Sequence, residues 1–314
     1  MRALVTGAAG FVGRHLTAYL SSAGDEVAGL LHPTDHAKAP LDSGVGAVIV
    51  DVLDDSGVSS AFREFAPDAV YHLAAFSNPE GSWKEARLTL ETNILGAHSV
   101  LSAAEATGRK PRVLLVGSAQ QYGQVSEKEQ PISEDRELMP LTPYAVSKVS
   151  QELLGRRAFW SGSLPVFFTR SFNHTGPGQS DGYVCSSFAR QVAEAEKGTR
   201  PPRIRAGNLE ARRDFSDVRD VAAAYRAIVE KGRPGTAYNV CSGRSVSIRE
   251  LLDVLVGLAR VPLEVAVDPG RYHALDSPLV LGDPTRLRDD TGFSTRYTID
   301  QTLADLLEDW RSRV

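Results

Sequence analysis

The chain has few cysteines, no strong excess of one charge and no long apolar run. Its two cysteines, Cys185 and Cys241, form no C-x-x-C pair, so the sequence indicates neither a disulfide framework nor a zinc site and suits a reducing compartment. A formal net charge of −4 without a basic stripe does not favour nucleic acid or an anionic membrane surface as a partner. No run could span a bilayer and no signal peptide precedes the first strand pattern, so we expect a cytoplasmic protein without a membrane partner.

What the chain does contain is the composition of an ordinary globular protein. Hydrophobic residues make up 42% and charged residues 24%, and 314 residues suffice for one large core or two modest ones. The sequence shows no internal repeat and no low-complexity tract. The histidines lack metal-ligand spacing, so we expect no metal site.

The N-terminus carries the pattern around which the chain is organised. Residues 2–6 form a short apolar run typical of a strand, and glycines follow at a spacing of three, at Gly7, Gly10 and Gly13. Apolar residues then recur at helical intervals. A glycine turn between a strand and a helix lets backbone N–H groups approach a pyrophosphate, whose charge the helix N-terminus favours. The pattern predicts a nucleotide site, and the alternative is an ordinary turn between a strand and a helix.

Strands and helices alternate through the first half of the chain. Long helices are expected at 91–106 and 144–160, and these two could also form a dimer surface. Continuous apolar runs, typical of strands buried on both faces, lie at 26–31, 47–50, 69–73, 112–116 and 166–169. This alternation predicts an α/β fold with a doubly wound parallel sheet of the Rossmann type.

The character of the sequence changes after residue 172, where glycine and proline become frequent. A helix pattern at 220–229 and a strand pattern at 237–240 then resemble the first half again. Ser247 and Glu250 match a capping box, in which each side chain satisfies a free N–H group at the start of a helix. A smaller, interleaved lobe therefore follows the first domain.

These changes divide the chain into two interleaved parts. We predict a dinucleotide-binding domain of residues 1–172, to which residues of about 214–243 return. The remaining residues, 173–213 and 244–314, are predicted to form a smaller C-terminal lobe that binds the substrate.

A tyrosine and a lysine stand one helical turn apart. Tyr144 and Lys148 are four residues apart, hence on the same side of a helix. A tyrosine has an ordinary pKa of roughly 10, which a fixed cation nearby lowers, so Tyr144 could act as general acid or base for a carbonyl and alcohol pair. Ser118 ends the fifth strand pattern and could hydrogen-bond the reacting oxygen. The alternative is a surface tyrosine packed on a lysine stem.

Five motifs along the chain resemble those of a known family. They are the glycine turn at 5–13, His-Leu-Ala-Ala at 72–75, Gly-Ser with Tyr-Gly at 117–123, the Tyr and Lys pair at 144–148, and Arg-Asp-Phe-Ser-Asp-Val at 213–218. Together they resemble the extended short-chain dehydrogenase/reductases, the NAD-dependent epimerase/dehydratase family, over nearly the whole chain. Two more specific segments, 170–179 and 206–215, resemble the branch that contains GDP-mannose 4,6-dehydratases and GDP-6-deoxy-D-mannose reductases.

One position separates the two activities of that branch. A 4,6-dehydratase removes the C5 proton and expels the C6 hydroxyl, for which the pattern carries a glutamate two residues before the tyrosine of the Tyr-Gly pair. Here that tyrosine is Tyr122, and the position holds Gln120, which has no titratable proton. The resemblance therefore implies an NAD(P)H-dependent reductase of the C4 keto group of a nucleotide-linked 4-keto-6-deoxyhexose, from GDP-4-keto-6-deoxy-D-mannose to GDP-D-rhamnose. A nucleotide-sugar 4-epimerase, a residual 4,6-dehydratase and a catalytically idle dinucleotide sensor are the alternatives.

The resemblance also implies roles for individual residues. Ser118 would orient the C4 oxygen, Tyr144 would donate its proton, and Lys148 would hold the nicotinamide ribose and lower the pKa of Tyr144. NADP(H) is favoured over NAD(H), because the second strand ends at His32 without the acidic residue typical of NAD enzymes. The implied cofactor-binding positions are Gly7, Gly10, Phe11, Val12, Gly13, His32, Asp51, Val52, Leu73, Ala74, Ala75, Tyr144 and Lys148.

The substrate implied by the resemblance is a GDP-linked or other nucleotide-linked sugar. Asn173 and Arg213 would bind its diphosphate, the arginine because its fork binds phosphate oxygens in pairs. The alternatives are a turn cap for Asn173 and a surface ion pair with a neighbouring aspartate for Arg213. The family usually has an arginine where this chain has His273. Either Arg271, two residues away, takes its place, or His273 makes a weaker phosphate contact and the nucleotide pocket differs. The implied substrate-binding positions are Ser118, Asn173, Asn208, Leu209, Arg213 and Arg271. A homodimer through the two long helices is expected.

Overall fold

The computed structural model describes residues 1–36, 41, 44–268, 270 and 277–314. The strands are β1 (Arg2–Thr6), β2 (Glu26–Leu31), β3 (Gly46–Ile49), β4 (Ala69–His72), β5 (Arg112–Ser118), β6 (Val166–Ser171), β7 (Asn173–Thr175), β8 (Arg203–Ala206), β9 (Arg212–Asp217), β10 (Ala237–Val240), β11 (Ser245–Ser247), β12 (Glu264–Val267) and β13 (Leu279–Val280). The α-helices are α1 (Phe11–Ser22), α2 (Pro33–His36), α3 (Asp55–Phe65), α4 (Gly81–Lys84), α5 (Ala86–Leu90), α6 (Gly96–Ala106), α7 (Pro143–Trp160), α8 (Val184–Glu196), α9 (Val218–Lys231), α10 (Ile248–Gly257), α11 (Thr285–Thr291) and α12 (Ile299–Arg313). A π-helical turn spans Glu91–Leu95, and 3-10 turns span Ala119–Tyr122 and Glu127–Glu129. Within these described ranges, no helix is both long enough and apolar enough to cross a membrane.

The main sheet consists, in the described residues, of seven parallel strands in the order β10-β6-β5-β4-β1-β2-β3. The chain leaves β1 towards β2 and β3 on one side, and later fills the other side with β4, β5 and β6. The winding therefore reverses between β1 and β4, and a crevice opens at the carboxyl ends of the strands at such a switch point. The predicted doubly wound parallel sheet is confirmed.

Both faces of the main sheet are buried, because neighbouring residues along a strand point to opposite sides. On β6, Phe167 packs in the apolar cluster that contains residues of α1 and α9, whereas Phe168 packs in the cluster that contains residues of α3 and α6. Each fully buried ring contributes roughly 1.5–3 kcal/mol to folding. Burial on both faces explains why the strands are continuous apolar runs in the sequence.

The observed strand ends differ from the predicted ones by one or two residues. β3 spans 46–49 rather than 47–50, and β4 ends at His72, one residue before the predicted end. β5 continues two residues beyond its predicted end, to Ser118, which lies in register with Ser171 on β6. The longer β5 fixes the backbone of Ser118 in the sheet rather than in a loop.

A smaller part of the structure contains two further sheets. β9 pairs with β11, β13 and β7, and β8 pairs with β12. Apolar residues of α8, α10 and α12 pack in a cluster of their own, while α9 and β10 return to the main sheet. The predicted capping box at the start of α10 is confirmed: Ser247 Oγ accepts from the Glu250 N–H at 3.1 Å, and the Ser247 N–H donates to Glu250 Oε2 at 2.6 Å.

Candidate active site

The glycine turn after β1 is shaped by two close approaches. Gly7 has a φ of +68°, and a β-carbon there would lie 2.8 Å from the backbone nitrogen of Ala74. A β-carbon on Gly13 would lie 2.3 Å from the carbonyl oxygen of Gly7, so α1 packs directly on the turn. Gly10 precedes α1 and offers no side-chain cap, and the first turn of the helix has no acidic residue. The positive end of α1 therefore fits an anion such as a pyrophosphate.

The segment after β4 forms the other side of this crevice. The Ala74 N–H donates to Thr6 Oγ1 at 3.1 Å, and the Leu73 N–H donates to the Thr6 carbonyl at 3.3 Å. Sequence reasoning did not single out Thr6, although a polar residue at the end of an apolar strand could have pointed to it. The predicted cofactor positions lie on both sides of the crevice: Phe11 and Val12 in the first turn of α1, and Leu73, Ala74 and Ala75 after β4.

His32 follows β2 and Asp51 follows β3, and the structure brings these two predicted cofactor positions together. Nε2 of His32 lies 3.4 Å from Oδ2 of Asp51, and both side chains are exposed. Val52, the next residue, is buried and packs against Gly96. An acidic group thus reaches the end of β2 from the neighbouring strand, which the sequence of β2 did not reveal.

Tyr144 lies in the first turn of α7, where Thr142 caps the helix by accepting the Ala145 N–H at 3.0 Å. Its side chain is 9% exposed. Burial raises the pKa of Tyr144 above its ordinary value, and the hydrogen bond with the Ser118 side chain opposes this only in part. The structure therefore brings Ser118 and Tyr144 together and keeps the phenol protonated at neutral pH.

Lys148 lies one turn further along α7 and is also buried. Its Nζ donates to the Val116 carbonyl at 2.8 Å and to Gln151 Oε1 at 3.1 Å, and it lies 6.0 Å from the centre of the Tyr144 ring. Burial lowers the pKa of Lys148 to about 7. The pKa of Tyr144 is therefore not lowered overall in this structure, because burial outweighs every opposing contribution and the Lys148 ammonium donates to β5.

A buried polar network holds Ser118 in place at the end of β5. Its N–H donates to Gln121 Oε1 at 2.8 Å, and Gln121 Nε2 donates to Glu152 Oε2 at 3.0 Å. Arg170 donates to both oxygens of Glu152, and Arg156 adds two hydrogen bonds to one of them. Burial alone would raise the pKa of Glu152, but these arginines outweigh it and hold the pKa below the ordinary range. The network fixes the end of β5 against α7.

The π-helical turn before α6 places a buried amide against α7. Asn93 Nδ2 donates to Ser147 Oγ at 2.8 Å and to the Phe76 carbonyl at 3.2 Å, and its Oδ1 accepts the Phe76 N–H at 2.7 Å. Ser147 in turn donates to the Tyr144 carbonyl at 2.7 Å. Asn93 therefore anchors the turn of α7 that carries Tyr144.

Two of the predicted diphosphate ligands lie on neighbouring strands. Asn173 is exposed on β7, in register with Phe215 of β9, and Arg213 lies two residues before Phe215. Arg213 Nη1 donates to the Arg212 carbonyl at 2.8 Å. Asp214, one of the aspartates considered as its partner, accepts hydrogen bonds from Ser242, Gly243 and Gly282.

The other predicted substrate positions differ in their surroundings. Asn208 accepts the Glu210 N–H at 3.0 Å through its side-chain oxygen. Leu209 is buried in the apolar cluster with α8, α10 and α12, so its side chain stabilises the lobe. Arg271 and His273 lie outside the described residues.

The two parts of the structure meet beside the glycine turn. The Phe11 ring stacks on His174, with ring centres 6.1 Å apart. His15 Nε2, one turn further along α1, lies 2.8 Å from the Pro177 carbonyl oxygen. The helix that follows the glycine turn is therefore in direct contact with the segment that contains Asn173. In the part of the chain that the structure describes, no cluster of histidine, cysteine, aspartate and glutamate could hold a metal ion.

Comparisons with known proteins agree with this geometry. The family profile described as GDP-mannose 4,6 dehydratase matches residues 4–306. The chain is 39% identical to the GDP-6-deoxy-D-mannose reductase of Pseudomonas aeruginosa, over 100% of this chain and 98% of that protein. Among solved structures it is similar to RMD from Pseudomonas aeruginosa complexed with NADPH, with 36% identity, a TM-score of 0.87 and both chains fully covered. It is also similar to the UDP-glucose 4-epimerase of Thermus thermophilus in complex with NAD, with 30% identity, a TM-score of 0.87 and both chains fully covered. The chain belongs to the GDP-mannose 4,6-dehydratase family, within the extended short-chain dehydrogenase/reductases.

Proposed function

We propose that this chain is an NAD(P)H-dependent reductase that converts GDP-4-keto-6-deoxy-D-mannose to GDP-D-rhamnose. The observation that carries the proposal is a complete Ser118, Tyr144 and Lys148 set with Gln120 at the position of the dehydratase glutamate. The full-length similarity to a GDP-6-deoxy-D-mannose reductase supports the same activity.

Reduction of the C4 ketone needs a hydride at carbon and a proton at oxygen. The reduced nicotinamide supplies the hydride. Tyr144, which burial keeps protonated, donates its phenolic proton to the C4 oxygen while negative charge develops there. Ser118 donates a hydrogen bond to the same oxygen. The C=O double bond becomes a C–O single bond as one C–H and one O–H bond form, and the phenolate of Tyr144 then regains a proton from solvent.

Lys148 would assist the proton transfer from Tyr144. Two of its three N–H donors meet Val116 and Gln151, which leaves a donor for a hydroxyl of the nicotinamide ribose. Its positive charge stabilises the phenolate of Tyr144 that proton donation leaves behind. The lysine thus acts as negative charge develops on the phenolic oxygen.

Gln120 restricts the chemistry to reduction at C4. It is exposed in the 3-10 turn after Ser118, and its backbone N–H donates to Ser118 Oγ at 3.2 Å. A side-chain amide neither removes a C5 proton nor protonates a departing C6 hydroxyl. At this position, this chain therefore lacks the acid and base that a 4,6-dehydratase needs.

The cofactor and the sugar nucleotide would occupy different parts of the chain. Residues 1–172, with about 214–243, hold the cofactor, and NADP(H) is favoured by the NADPH found in the structure of a relative. Residues 173–213 and 244–314 hold the sugar nucleotide, with Asn173 and Arg213 at its diphosphate.

A nucleotide-sugar 4-epimerase is the second candidate. The similarity to a UDP-glucose 4-epimerase favours it, and the same serine, tyrosine and lysine serve both reactions. An epimerase returns the hydride to the sugar, so it shows no net oxidation of cofactor, whereas a reductase consumes one cofactor per product.

A homodimer through α7 and the neighbouring helical segment of α5, the π-helical turn and α6 is part of the proposal. On α7, Val146, Leu153 and Trp160 recur every seven residues and are exposed, Trp160 to 71%. Leu88 and Leu95, also seven residues apart, are exposed on the neighbouring helical segment. Such an apolar strip on two adjacent helices fits a second copy of itself. The two cysteines are free and buried, which suits the cytoplasm that we propose as its compartment.

Absorbance at the reduced-nicotinamide band tests the proposal. Purified protein is mixed with NADPH or NADH and GDP-4-keto-6-deoxy-D-mannose, beside a Tyr144→Phe control. Cofactor loss equal to the substrate added, and absent in the variant, supports the reductase and identifies the coenzyme. Wild-type protein that consumes no cofactor but interconverts a GDP- or UDP-hexose would instead be an epimerase.

A further inference from the structure

Lys148 is a buried cation whose partners are uncharged. Lysine is rarely fully buried unless a carboxylate pairs with it. In the described residues Lys148 makes no salt bridge, and its two acceptors are the Val116 carbonyl and the side-chain oxygen of Gln151. The second of these acceptors is a side chain that sequence reasoning did not single out.

Gln151 is itself 1% exposed and faces the same carbonyl. Its Oε1 accepts from Lys148 at 3.1 Å, while its Nε2 donates to the Val116 carbonyl oxygen at 3.2 Å. The ammonium, the amide and the carbonyl therefore form a closed set, in which each group contacts the other two. An apolar residue at 151 would leave Lys148 with one acceptor and would let its long side chain turn away from β5.

We propose that Gln151 is a positioning residue for Lys148. Its amide holds the ammonium of Lys148, one helical turn after Tyr144, against the end of β5. The contribution of this contact to catalysis rests on the proposed function, in which Lys148 serves Tyr144 and the cofactor. The contact itself belongs to the protein without any ligand.

Among the described residues, the structure places Tyr144 and Glu152 of α7 and His72 of β4 near Lys148. Arg170 of β6 lies one step further out, where it pairs with Glu152. The pKa of His72 is lowered to about 3 by its burial and by the charge of Lys148, so this histidine stays neutral near neutral pH. Glu152 is held ionised by Arg170 and Arg156, and Tyr144 stays protonated. Near pH 7, Lys148 is therefore the group that titrates, since its pKa is lowered to about 7.

The test follows the titration of Lys148 directly. The chain has seven lysines, so protein labelled with carbon-13 at lysine Cε gives a small set of NMR resonances, and Lys148→Arg identifies the one to follow. Gln151→Leu removes an acceptor of the charged form, and we expect the midpoint to fall by about one pH unit. Gln151→Glu adds a negative charge beside the ammonium, and we expect the midpoint to rise.

Gln191→Leu is the matched control. Gln191 is also a buried glutamine, but on α8, where its amide pairs with the backbone of Arg205. We expect it to cost stability without moving the midpoint of Lys148. An unchanged midpoint in folded Gln151→Leu would overturn the proposal. If Gln151→Leu does not fold, Gln151→Glu decides, because an unchanged midpoint there contradicts the proposal equally.

The outcome is separable from that of the proposed function. The titration uses neither substrate nor cofactor, so inactivity of the wild-type enzyme in the reductase assay overturns the function and leaves this test intact. If the enzyme is an active reductase, the pH profile of kcat in Gln151→Leu should move in the same direction as the NMR midpoint. A profile that does not move would contradict a role of Gln151 in catalysis.

Discussion

Gly7 and Ala74 approach each other so closely that a β-carbon on Gly7 would lie 2.8 Å from the backbone nitrogen of Ala74. This contact joins the turn after β1 to the segment after β4, the two sides of the crevice at the switch point of the main sheet. Gly7→Ala must therefore displace one of them, besides straining a φ of +68°. We expect the free energy of unfolding to fall by about 1–3 kcal/mol. The affinity for NADPH, measured by fluorescence titration, should fall by at least about tenfold, which corresponds to 1.4 kcal/mol.

Gly24→Ala separates the effect of backbone strain from the effect of the contact across the crevice. Gly24 also has a positive φ, of +83°, but a β-carbon there meets nothing within 4 Å. We expect Gly24→Ala to cost about 1 kcal/mol in stability and to leave NADPH affinity unchanged. An equal loss of affinity in both variants would show that the contact between Gly7 and Ala74 does not shape the site.

Tyr144→Phe should remove the proton donor with little change in the fold. General acid catalysis contributes typically 10²–10⁴-fold, so we expect kcat to fall by about that factor. The dissociation constant of NADPH should change less than about threefold, which corresponds to less than about 0.7 kcal/mol. Tyr297→Phe is the control: the Tyr297 ring packs on Arg219, and this variant should keep wild-type kcat. A Tyr144→Phe enzyme with near-normal kcat would assign the proton to another group.

The local parts of the site could be predicted from the sequence. The turn around Gly7 and the pairing of Tyr144 with Lys148 depend on spacings within one element and its neighbour, which the sequence displays directly. β5 and α7 were both predicted from the sequence. They pack against each other in the structure, and this packing places Ser118 beside Tyr144. The fold followed from apolar runs that are long and continuous because both faces of the sheet are buried.

The tertiary parts could not be predicted in the same way. Some side chains of the site contact partners on other elements that are distant in sequence, so no local pattern marks them. They are Thr6, Gln121 and Gln151. The pKa of Tyr144 was expected to fall because sequence spacing shows a cation nearby but does not show burial. Packing around the ring determines the sign of the shift. The ligand expected at Arg271 lies outside the described residues and stays a prediction.

Glu152→Gln should destabilise the protein strongly. Glu152 is buried between Arg170 and Arg156, and removing one member of a buried ion pair leaves an uncompensated charge. We expect the free energy of unfolding to fall by about 3–5 kcal/mol in denaturant titrations at pH 7. Glu264→Gln breaks the exposed pair with Arg203 and should cost less than about 1 kcal/mol.

The same network predicts a dependence on acid. Because the pKa of Glu152 is lower in the folded chain than its ordinary value of 4.5, its ionised form stabilises the fold fully above that value. The contribution is lost as the pH falls through the lowered pKa. The difference in stability between wild type and Glu152→Gln should therefore shrink below about pH 4. A constant difference across this range would contradict the assignment.

Leu153→Glu tests the dimer surface. Leu153 is 57% exposed in the middle of the apolar strip on α7, and a buried charge at a symmetric interface meets its own copy. We expect the mass measured by light scattering to fall from that of a dimer to that of a monomer. Leu258→Glu, at an exposed leucine that follows α10, should stay dimeric. A wild-type monomer, or a dimer that survives Leu153→Glu, would exclude this surface.

The destination of the hydride tests the central claim most directly. The enzyme is supplied with NADPH deuterated at the transferable position of C4 of the nicotinamide, together with GDP-4-keto-6-deoxy-D-mannose, and the product is analysed by mass spectrometry and NMR. The account predicts one deuterium at C4 of a GDP-6-deoxyhexose for each cofactor oxidised, and product formation slowed by about 10²–10⁴-fold with Tyr144→Phe. Sugar product without deuterium, formed while the cofactor stays reduced, would contradict it.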